Sequence, residues 1–561
     1  MFTWLKKSAR HLFRRAIHVE SNTNSNTNSN TDNLINQRNG FNQSDSSLTT
    51  NNNRANNHFH NYKKVNRTLN ENRKFLETTL GNNSGIINRS FQVGENAYSS
   101  GLLFAVSGMV ETTVINENVL GPLMKMAEPP ANLHKSLLVY LKESVLSVAE
   151  IDLIDNLHQI VNELFTGKIV LFVEGEETAL IINAQAWEMR GIEQPITETV
   201  IRGPRDSFTE DISTNLTLLR RRIRNPNLRC ESLLLGKQSN TKVVIAYIDG
   251  IVNKEVLKEV YTRLENIKVD AILESGYIEQ YIEDAPFSIF PTVGNQEKPD
   301  IVAAQLLEGR VSIFVDGTPI VLTVPYLLIN HFQVSEDYFS RPYYSNFVRI
   351  LRVISFFISV LLPGVFVAIQ YFHPILIPFS LLVKFFITRA NVPFQLYVEM
   401  ILMLIIFEII RESGLRMPKP VGQAVSLVGA LILGEAAVSA GLVGIPVVVT
   451  VALVGISSFP VNSLSEPISL LRIAFVVAGA TFGLFGILML GMIVVSHLAS
   501  LRSFGVPFTA PLFPIKISDW IDGIIRIPLW LMTNRPATIG SANRTKQKFG
   551  GLSGEGKRGK E

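Results

Sequence analysis

The stretch TGKIVLFVEGEETALII, residues 166–182, is matched 142 positions later by EGRVSIFVDGTPIVLTV, residues 308–324. Each stretch contains two runs of apolar and β-branched residues, joined by Glu174-Gly175 in the first and by Asp316-Gly317 in the second. An acidic residue followed by glycine between two such runs is typical of a β-hairpin, in which the glycine supplies a positive φ. The chain is therefore predicted to contain the same hairpin twice.

A second pair of matching stretches lies at the same spacing and indicates a duplication. FAVSGMVETTVI begins at Phe104 and IAYIDGIVNKEVL at Ile245, so that Gly108 aligns with Gly250. Two blocks in register rarely arise by chance, and a repeat of this length is a structural unit. We predict two small α/β subdomains, at 71–200 and 241–345, separated by an inter-repeat linker at 201–240.

The beginning of the chain has a different character. Residues 1–20 place apolar and basic side chains on different helical faces, which suits either an anionic membrane surface or a solvated arm. This basic amphipathic arm lacks the apolar core of a secretory signal. Residues 21–60 contain 14 asparagines, so we expect a disordered linker over 21–70.

Composition excludes several classes of protein. Apolar residues make up 47 % of the 561 residues and charged residues only 18 %, with a mean hydropathy of +0.22. These values exclude a disordered chain and a nucleic-acid-coating protein, and they argue against an ordinary soluble enzyme. The single cysteine, Cys230, excludes an internal disulfide.

The net charge of +4 is unevenly distributed along the chain. Residues 61–349 carry a net −8, residues 350–501 hold only 12 charged residues, and residues 502–561 carry a net +6. Five apolar segments fall in the charge-poor region, where a helix needs about 20 apolar residues to span a bilayer. We therefore predict an all-α polytopic membrane domain at 350–500, followed by a basic cytoplasmic tail at 501–561.

Charge also predicts the topology of these segments. The loop RESGLRMPKP at 411–420 and the tail are basic, and basic loops stay in the cytoplasm. Both ends inside require an even number of crossings. We expect four crossings and one re-entrant or interfacial segment, either 392–410 or 445–461. The stretch 468–498 is long enough to span with tilt.

Acidic residues inside the membrane are candidate functional groups because an unpaired charge there is costly. Glu399 and Glu408 could instead form structural ion pairs, for example Glu408 with Arg411. Glu435 lies on a helical stripe that could line a pore, with an apolar gate above a cation-attracting carboxylate. The pore or gate candidates are Ala424, Val428, Leu431 and Glu435. A second stripe of small residues suits helix packing and consists of Gln423, Ser426, Ala430, Gly434 and Ala437.

An arginine-rich run lies between the two repeats. Arg220, Arg221, Arg222, Arg224 and Arg229 could bind phosphate or an acidic partner, or could form a solvated face with ion pairs. Nucleic-acid binding is not expected because no stacking aromatic residues accompany the arginines.

Five stretches resemble the A subunit of GerA-type spore germination receptors, and the matches to this family run in order from about Asn72 to Pro536. They are RGPRDSFTEDISTNLTLLRRRIRNPNL, ILESGYIEQYIEDAPFSIFPTVGNQEKPD, LLEGRVSIFVDGTPIVL, NVPFQLYVEMILMLIIFEIIRESGLRMPKPVGQAVSLVGALILGEAAV and HLASLRSFGVPFTAPLFP. The residues that match the family's motifs are Gly203, Pro204, Arg205, Glu210, Arg220, Arg221, Arg222, Asn225, Pro226, Arg389, Pro393, Phe394, Arg411, Glu412 and Pro420. The departures are small: TRANVPFQ near Arg389 differs from the usual pattern, and the turn VNSLSEPIS is shortened.

The resemblance implies a place and a role. It implies a multi-pass protein of the spore inner membrane, with the duplicated module and the tail in the cytoplasm. The implied partners are a multispanning B-type subunit that senses the nutrient, a lipoprotein C-type subunit and further A subunits. Such an oligomer would surround a nutrient-gated pathway for monovalent cations. No enzymatic activity, cofactor or metal is implied.

Two other functions remain open on the sequence alone. The chain could be a membrane scaffold or signalling subunit without its own pore. It could also belong to a transporter that couples cations or protons to the three intramembrane acids, although no inverted repeat is visible in 350–501.

Overall fold

The computed structural model describes residues 63–127, 136–185, 195, 198, 200–416 and 434–547. The predicted basic amphipathic arm at 1–20 and most of the asparagine-rich linker at 21–70 lie outside these residues.

The first α/β module, residues 69–185, is a five-stranded antiparallel sheet with short helices. The strand order is β1-β2-β4-β5-β3. Two stretches in it, Val114–Leu120 and Leu141–Val145, are π-helical. Its elements are α1 (Leu69–Leu80), β1 (Ile86–Val93), β2 (Ser99–Val106), α2 (Gly121–Met124), α3 (Leu137–Tyr140), β3 (Ile151–Ile154), α4 (Leu157–Leu164), β4 (Lys168–Val173) and β5 (Ala179–Asn183).

The second module, residues 212–332, repeats this order as β6-β7-β9-β10-β8. Its last segment, Leu328–Phe332, is a 3-10 helix. Its other elements are α5 (Ile212–Arg222), β6 (Leu228–Leu235), β7 (Thr241–Ile248), α6 (Lys254–Glu265), α7 (Ser275–Ile282), β8 (Gly294–Gln296), α8 (Pro299–Leu307), β9 (Val311–Val315) and β10 (Val321–Val324).

The duplication extends to strand register. Gly101 faces Val173 in the first sheet, and Val243 faces Val315 in the second, each residue 142 positions after its counterpart. The two predicted hairpins are present as β4–β5 and β9–β10. Gly175 and Gly317 both have a φ of 89°, which glycine adopts without strain.

The region 201–240 is not a linker, contrary to the sequence prediction. It contains α5 and β6, and β6 pairs with β7 over eight residues. These elements are the counterparts of α1 and β1, which the sequence comparison did not align. β6 pairs with β7 in the register in which β1 pairs with β2, 142 positions later, although the residues scarcely match.

The helical part, residues 336–500, follows the second module. Two helical stretches in the described part of the chain, Pro342–Phe372 and Ile445–Ser500, are long and apolar enough to cross a membrane. Residues 434–439 are also helical. The elements are α9 (Glu336–Phe339), α10 (Pro342–Phe372), α11 (Phe379–Arg389), α12 (Leu396–Arg416), α13 (Ile445–Ser458) and α14 (Ser465–Ser500).

Helix α14 is folded back on itself at Gly483, so the stretch predicted as one long span is not a single rod. Gly483 has a non-helical φ of 62° and ψ of −145°. A Cβ on Gly486 would lie 2.4 Å from the carbonyl oxygen of Ala478, whereas eight residues of straight helix span about 12 Å. The predicted crossing over 468–498 is therefore corrected to a helical hairpin with its turn at Gly483.

Helix α10 packs closely on the first arm of α14. A Cβ on Gly364 would lie 2.5 Å from the oxygen of Phe475, and one on Gly479 would lie 2.5 Å from the oxygen of Gly364. Small residues allow two helix backbones to approach in this way, as they do in membrane proteins.

The C-terminal segment, residues 501–547, is packed against the rest of the protein. It begins with the two-stranded hairpin β11 (Arg502–Ser503) and β12 (Val506–Pro507) and continues with helix α15 (Ile517–Gly523). Phe508 and Ala510 are fully buried in it.

Candidate functional site

The junction between the second module and the helical part is built around the carboxylate of Asp337. Asp337 lies in α9, and Arg349 and Arg352 lie one turn apart on the same face of α10. Arg352 donates from Nη2 to Oδ1 at 2.7 Å and from Nη1 to Oδ2 at 2.9 Å, while Arg349 donates from Nη2 to Oδ2 at 3.2 Å. The side chains of Asp337 and Arg349 are 2 % exposed.

Backbone carbonyls accept the remaining hydrogen bonds of the two guanidiniums. Arg352 also donates to the oxygen of Phe332, at 2.9 Å, and Arg349 donates to the oxygen of Gly523, at 3.0 Å. These bonds matter because a buried guanidinium without partners is destabilising. They join three parts of the chain, namely the end of the second module, the start of α10 and the C-terminal segment.

The C-terminal segment reinforces this junction. The guanidinium of Arg526 donates to the oxygens of Ser340 and Tyr338, at 3.0 and 3.1 Å. The hydroxyl of Tyr338 donates to Asp522 Oδ1 at 3.0 Å. Burial and the nearby carboxylate of Asp522 raise the pKa of Tyr338 well above its usual value, so the phenol stays a donor.

The end of α14 is also attached to the second module. The hydroxyl of Ser503, in β11, donates to the oxygen of Thr292 at 2.7 Å and accepts from the backbone N–H of Tyr326 at 2.9 Å. The side chain of Phe504 belongs to the core of the second module and lies 4.4 Å from the Arg263 guanidinium. The helical part is thus fixed to this module where it begins and where it ends.

His331 is a titratable group buried in the same junction. Its ring lies edge-on to Tyr326 at 4.8 Å and to Phe508 at 6.2 Å. Burial lowers the pKa of His331 to about 4, which keeps the imidazole neutral at ordinary pH. Its backbone oxygen accepts from the hydroxyl of Ser463, between α13 and α14, at 3.2 Å.

Glu399 is a fully buried acid with two partners. Arg389, at the end of α11, donates from Nη2 to its Oε1 at 2.9 Å. The backbone N–H of Gly444 donates to its Oε2 at 3.0 Å, at the start of α13. The carboxylate therefore caps a helix N-terminus, where negative charge is favoured. The structure places Glu399 in the structural ion pair that the sequence left open as one alternative.

Glu408 pairs with two arginines. Arg411, one turn later in α12, lies 2.8 Å from its Oε2. Arg472 of α14 contacts Oε1, and its guanidinium also lies 5.5 Å from the ring of Phe407. The pair with Arg411 is the one that the sequence suggested. Arg472 was missed because it lies 64 residues away in an otherwise apolar run.

Only the end of the predicted gate stripe lies among the described residues. Glu435 is exposed, whereas Gly434 is buried, with Val448 3.5 Å from where its Cβ would be, and Ala437 packs in the adjacent core. At this end of the helix, the small residues Gly434 and Ala437 therefore pack against other parts of the protein, and the carboxylate of Glu435 is exposed. The gate and packing candidates Gln423, Ala424, Ser426, Val428, Ala430 and Leu431 and the motif residue Pro420 lie outside the described residues, so the gate stays a prediction.

Two arginines of the arginine-rich run contact the first module. Arg220 is buried and donates to the oxygen of Ser84. Arg229 donates to the oxygen of Thr79 at 3.1 Å, and Arg222 pairs with Asp206 at 2.6 Å. The sequence left open whether these arginines bind phosphate or an acidic partner or form ion pairs. Arg222 forms an ion pair, and Arg220 and Arg229 join the two modules.

Other motif residues stabilise turns or lie at the junction. Gly203, with a φ of 137°, lies so close to Phe339 that a Cβ would be 2.7 Å from its ring. The side chain of Asn225 accepts from the backbone N–H of Asn227 at 2.9 Å. Glu412 pairs with Arg416 at 2.6 Å on the surface, and Phe394 is exposed before α12. Pro204 and Pro226 are half-buried, Arg205 is exposed, Pro393 lies before α12, and the backbone oxygen of Glu210 accepts from Gly317.

A duplicated α/β module is joined by buried ion pairs to a set of apolar helices that includes two stretches able to cross a membrane, as in a membrane protein with a large module outside the bilayer. The chain matches the family model described as Bacillus/Clostridium GerA spore germination protein over residues 74–538, and it belongs to that family.

Two relatives agree with this assignment, and one solved structure is similar in part. Spore germination protein KA of Bacillus subtilis strain 168 is 42 % identical over 470 residues, which are 83 % of this chain and 86 % of that protein. Spore germination protein B1 of the same strain is 35 % identical over 482 residues, 86 % of this chain and 99 % of that protein. The crystal structure of the N-terminal domain of the A subunit of the Bacillus megaterium spore germinant receptor GerK3 is 35 % identical, with a TM-score of 0.39, and covers 48 % of this chain and 98 % of that one. The family resemblance seen in the motifs is confirmed.

Proposed function

We propose that this chain is the A-type subunit of a nutrient-responsive germination receptor in the spore inner membrane. In this role it converts germinant binding on a partner subunit into release of monovalent cations, as part of an oligomeric channel. A multispanning B-type subunit and a lipoprotein C-type subunit complete the receptor.

The observation that carries the proposal is the double attachment of the second module to the helical part. The Asp337 cluster fixes the start of α10, and the hairpin at Ser503 fixes the end of α14. A displacement of the module must therefore be transmitted to the helices at both points, since packed interfaces do not deform continuously. A receptor subunit needs such a connection between the part that meets partners and the part in the membrane.

The same attachments support the predicted topology. The start of α10 and the end of α14 both lie against the second module. Helices that enter and leave on one side cross an even number of times, with module and tail together in the cytoplasm. The two arms of α14 on either side of Gly483 add two crossings if they span the membrane and none if they re-enter, so the number of crossings stays even in both cases.

The acids divide into two groups under this proposal. Glu399 and Glu408 neutralise arginines inside the bundle, which disfavours the transporter reading because a coupling carboxylate must exchange its cation. Glu435 is exposed and is the remaining candidate for a cation-attracting ring.

Reconstitution tests the proposal. The full chain is placed in vesicles with the B-type and C-type subunits, and K⁺ efflux is recorded on addition of nutrient. Efflux that requires this chain supports a channel subunit. A scaffold without its own pore predicts that the partners carry the efflux and that its selectivity is unchanged when Glu435 is replaced by glutamine.

A further inference from the structure

Exposed apolar side chains surround the end of the helical part that adjoins the second module. Tyr343 and Phe347, in the first two turns of α10, are 91 % and 63 % exposed. Equally solvent-facing side chains come from the second module and from the C-terminal segment. We call the set the collar, which consists of Tyr281, Phe287, Tyr343, Phe347, Ile525 and Trp530.

Two members of the collar outside α10, Phe287 and Ile525, adjoin residues that contact the end or the start of an apolar helix. Phe287 is fully exposed, and the next residue, Ser288, has its hydroxyl 3.0 Å from Nε2 of His497 in the last turn of α14. Ile525 precedes Arg526, whose backbone N–H donates to the side chain of Asn346 at 2.7 Å. The side-chain amide of Asn346 donates back to the oxygen of Arg526 at 2.9 Å. Ile525 is thus held beside the first turns of α10, and Phe287 beside the last turn of α14.

The length of α10 places this level at a bilayer surface. Its 31 residues span about 46 Å, whereas the hydrocarbon core is about 30 Å thick. The first turns of α10, which carry Tyr343 and Phe347, therefore lie beside the lipid headgroups when the apolar remainder of the helix is in the core.

The chemistry of the collar fits lipid rather than water. Tyrosine and tryptophan have an apolar body and a polar tip, and they are enriched at membrane interfaces. An exposed cation, Arg341, lies two residues before Tyr343 in the chain, which suits anionic headgroups. A patch of exposed phenylalanine and isoleucine side chains on a folded protein marks an interaction surface.

We propose that the collar is a lipid-binding surface, with the C-terminal segment lying on the cytoplasmic leaflet as an interfacial element. Anionic phospholipid is the partner. The inference rests on the proposed membrane placement of the helical part, and it adds that the segment after α14 is seated on lipid instead of extending freely into the cytoplasm.

Tryptophan fluorescence tests this surface in the full chain. A variant in which Trp4, Trp187 and Trp520 are replaced by phenylalanine reports on Trp530 alone. It is reconstituted in vesicles of phosphatidylcholine and phosphatidylglycerol, with and without acyl-chain-brominated phosphatidylcholine. The matched control keeps only Trp520, which is half-buried and donates to the oxygen of Pro511 at 3.1 Å.

We expect brominated lipid to remove most of the emission of Trp530 and little of that of Trp520. Flotation of the protein with the vesicles after alkaline washing tests membrane insertion separately. Unquenched Trp530 in protein that floats would overturn the collar and leave the membrane placement intact. If the emission of Trp530 instead depends on the ratio of protein to lipid, the surface binds a second copy of the chain. That result would also overturn the proposal.

Discussion

Asp337 and Arg352 form a two-point ion pair between α9 and α10, with Nη2 2.7 Å from Oδ1 and Nη1 2.9 Å from Oδ2. The pair is almost fully buried and joins the helix that follows the second module to the first long apolar helix. Its geometry is the bidentate arrangement in which arginine binds carboxylate most strongly.

Replacing Asp337 with asparagine should destabilise the junction. Removing one partner of a buried ion pair costs about 3–5 kcal/mol because the remaining charge is left unpaired. We expect a lower midpoint of thermal unfolding in detergent and a loss of nutrient-triggered K⁺ efflux.

Glu412→Gln is the matched control for Asp337. Glu412 and its partner Arg416 are 57 % and 80 % exposed, and surface pairs contribute about 0–1 kcal/mol. Equal midpoints for the two variants would show that the Asp337 cluster does not hold the junction.

Glu399→Ala should reduce the amount of folded protein in the membrane. The change leaves the Arg389 guanidinium without its carboxylate and the N-terminus of α13 without its cap. A lost cap costs about 1 kcal/mol, and the unpaired cation adds to that. The measurement is protease resistance of the membrane-inserted chain. A stable variant with altered ion selectivity would instead place Glu399 on the cation pathway.

Glu435→Gln should alter the ion selectivity of efflux while leaving assembly unchanged. Glu435 is exposed, unlike Glu399, so its charge is available to passing cations. The comparison of K⁺ and Cl⁻ permeability in vesicles measures the effect. Val428→Ala should raise resting leak if the apolar gate exists. A scaffold without a pore predicts no change in permeability from either variant.

Gly483→Ala should disrupt the fold-back of α14. The positive φ of 62° disfavours any side chain, and a Cβ would lie 2.9 Å from the ring of Phe372. We expect a loss of about 1–2 kcal/mol or more in stability.

Gly491→Ala provides the control within the same helix. It is open around its Cβ position and lies in the second arm, so alanine there should be neutral or slightly stabilising. Similar unfolding midpoints for the two alanine variants would contradict a turn at Gly483.

The buried, neutral state of His331 should make the free energy of unfolding fall in mild acid. Its pKa is about 4 in the folded state and near 6.5 in the unfolded chain, so between these values the unfolded chain binds more protons. Stability conferred by the neutral imidazole is complete above about pH 6.5 and falls as the pH drops towards 4. His331→Gln should flatten this dependence, whereas His158→Gln, at an exposed position, should leave it unchanged. An unaltered pH profile in His331→Gln would show that this imidazole does not set it.

The repeat can be predicted from the sequence because each hairpin contains the residues that its turn requires. Glu174-Gly175 and Asp316-Gly317 sit between β-branched runs, and no tertiary contact is needed to recognise them. The pairing of β6 with β7 cannot be read from the repeat, because β6 shares its pairing register with β1 but few of its residues. Sequence comparison therefore assigned β6 to a linker.

The candidate site divides in the same way. Glu399 and Glu408 stand out as acids in apolar runs, and the pair of Glu408 with Arg411 follows from helical spacing. Asp337 lies in a polar stretch, where an acidic residue is common and does not stand out. Its arginine partners are set by the angle between α9 and α10, which the sequence does not show. The turn at Gly483 was hidden because glycine is common in membrane helices and does not by itself end one.

The most direct test of the proposed function is K⁺ efflux from vesicles that contain the chain with its B-type and C-type partners. We predict that nutrient starts efflux from the complete complex, that Glu435→Gln changes its selectivity, and that Asp337→Asn abolishes it while the partners still assemble. Nutrient-triggered efflux of the same size and selectivity from a complex lacking this chain would contradict the account.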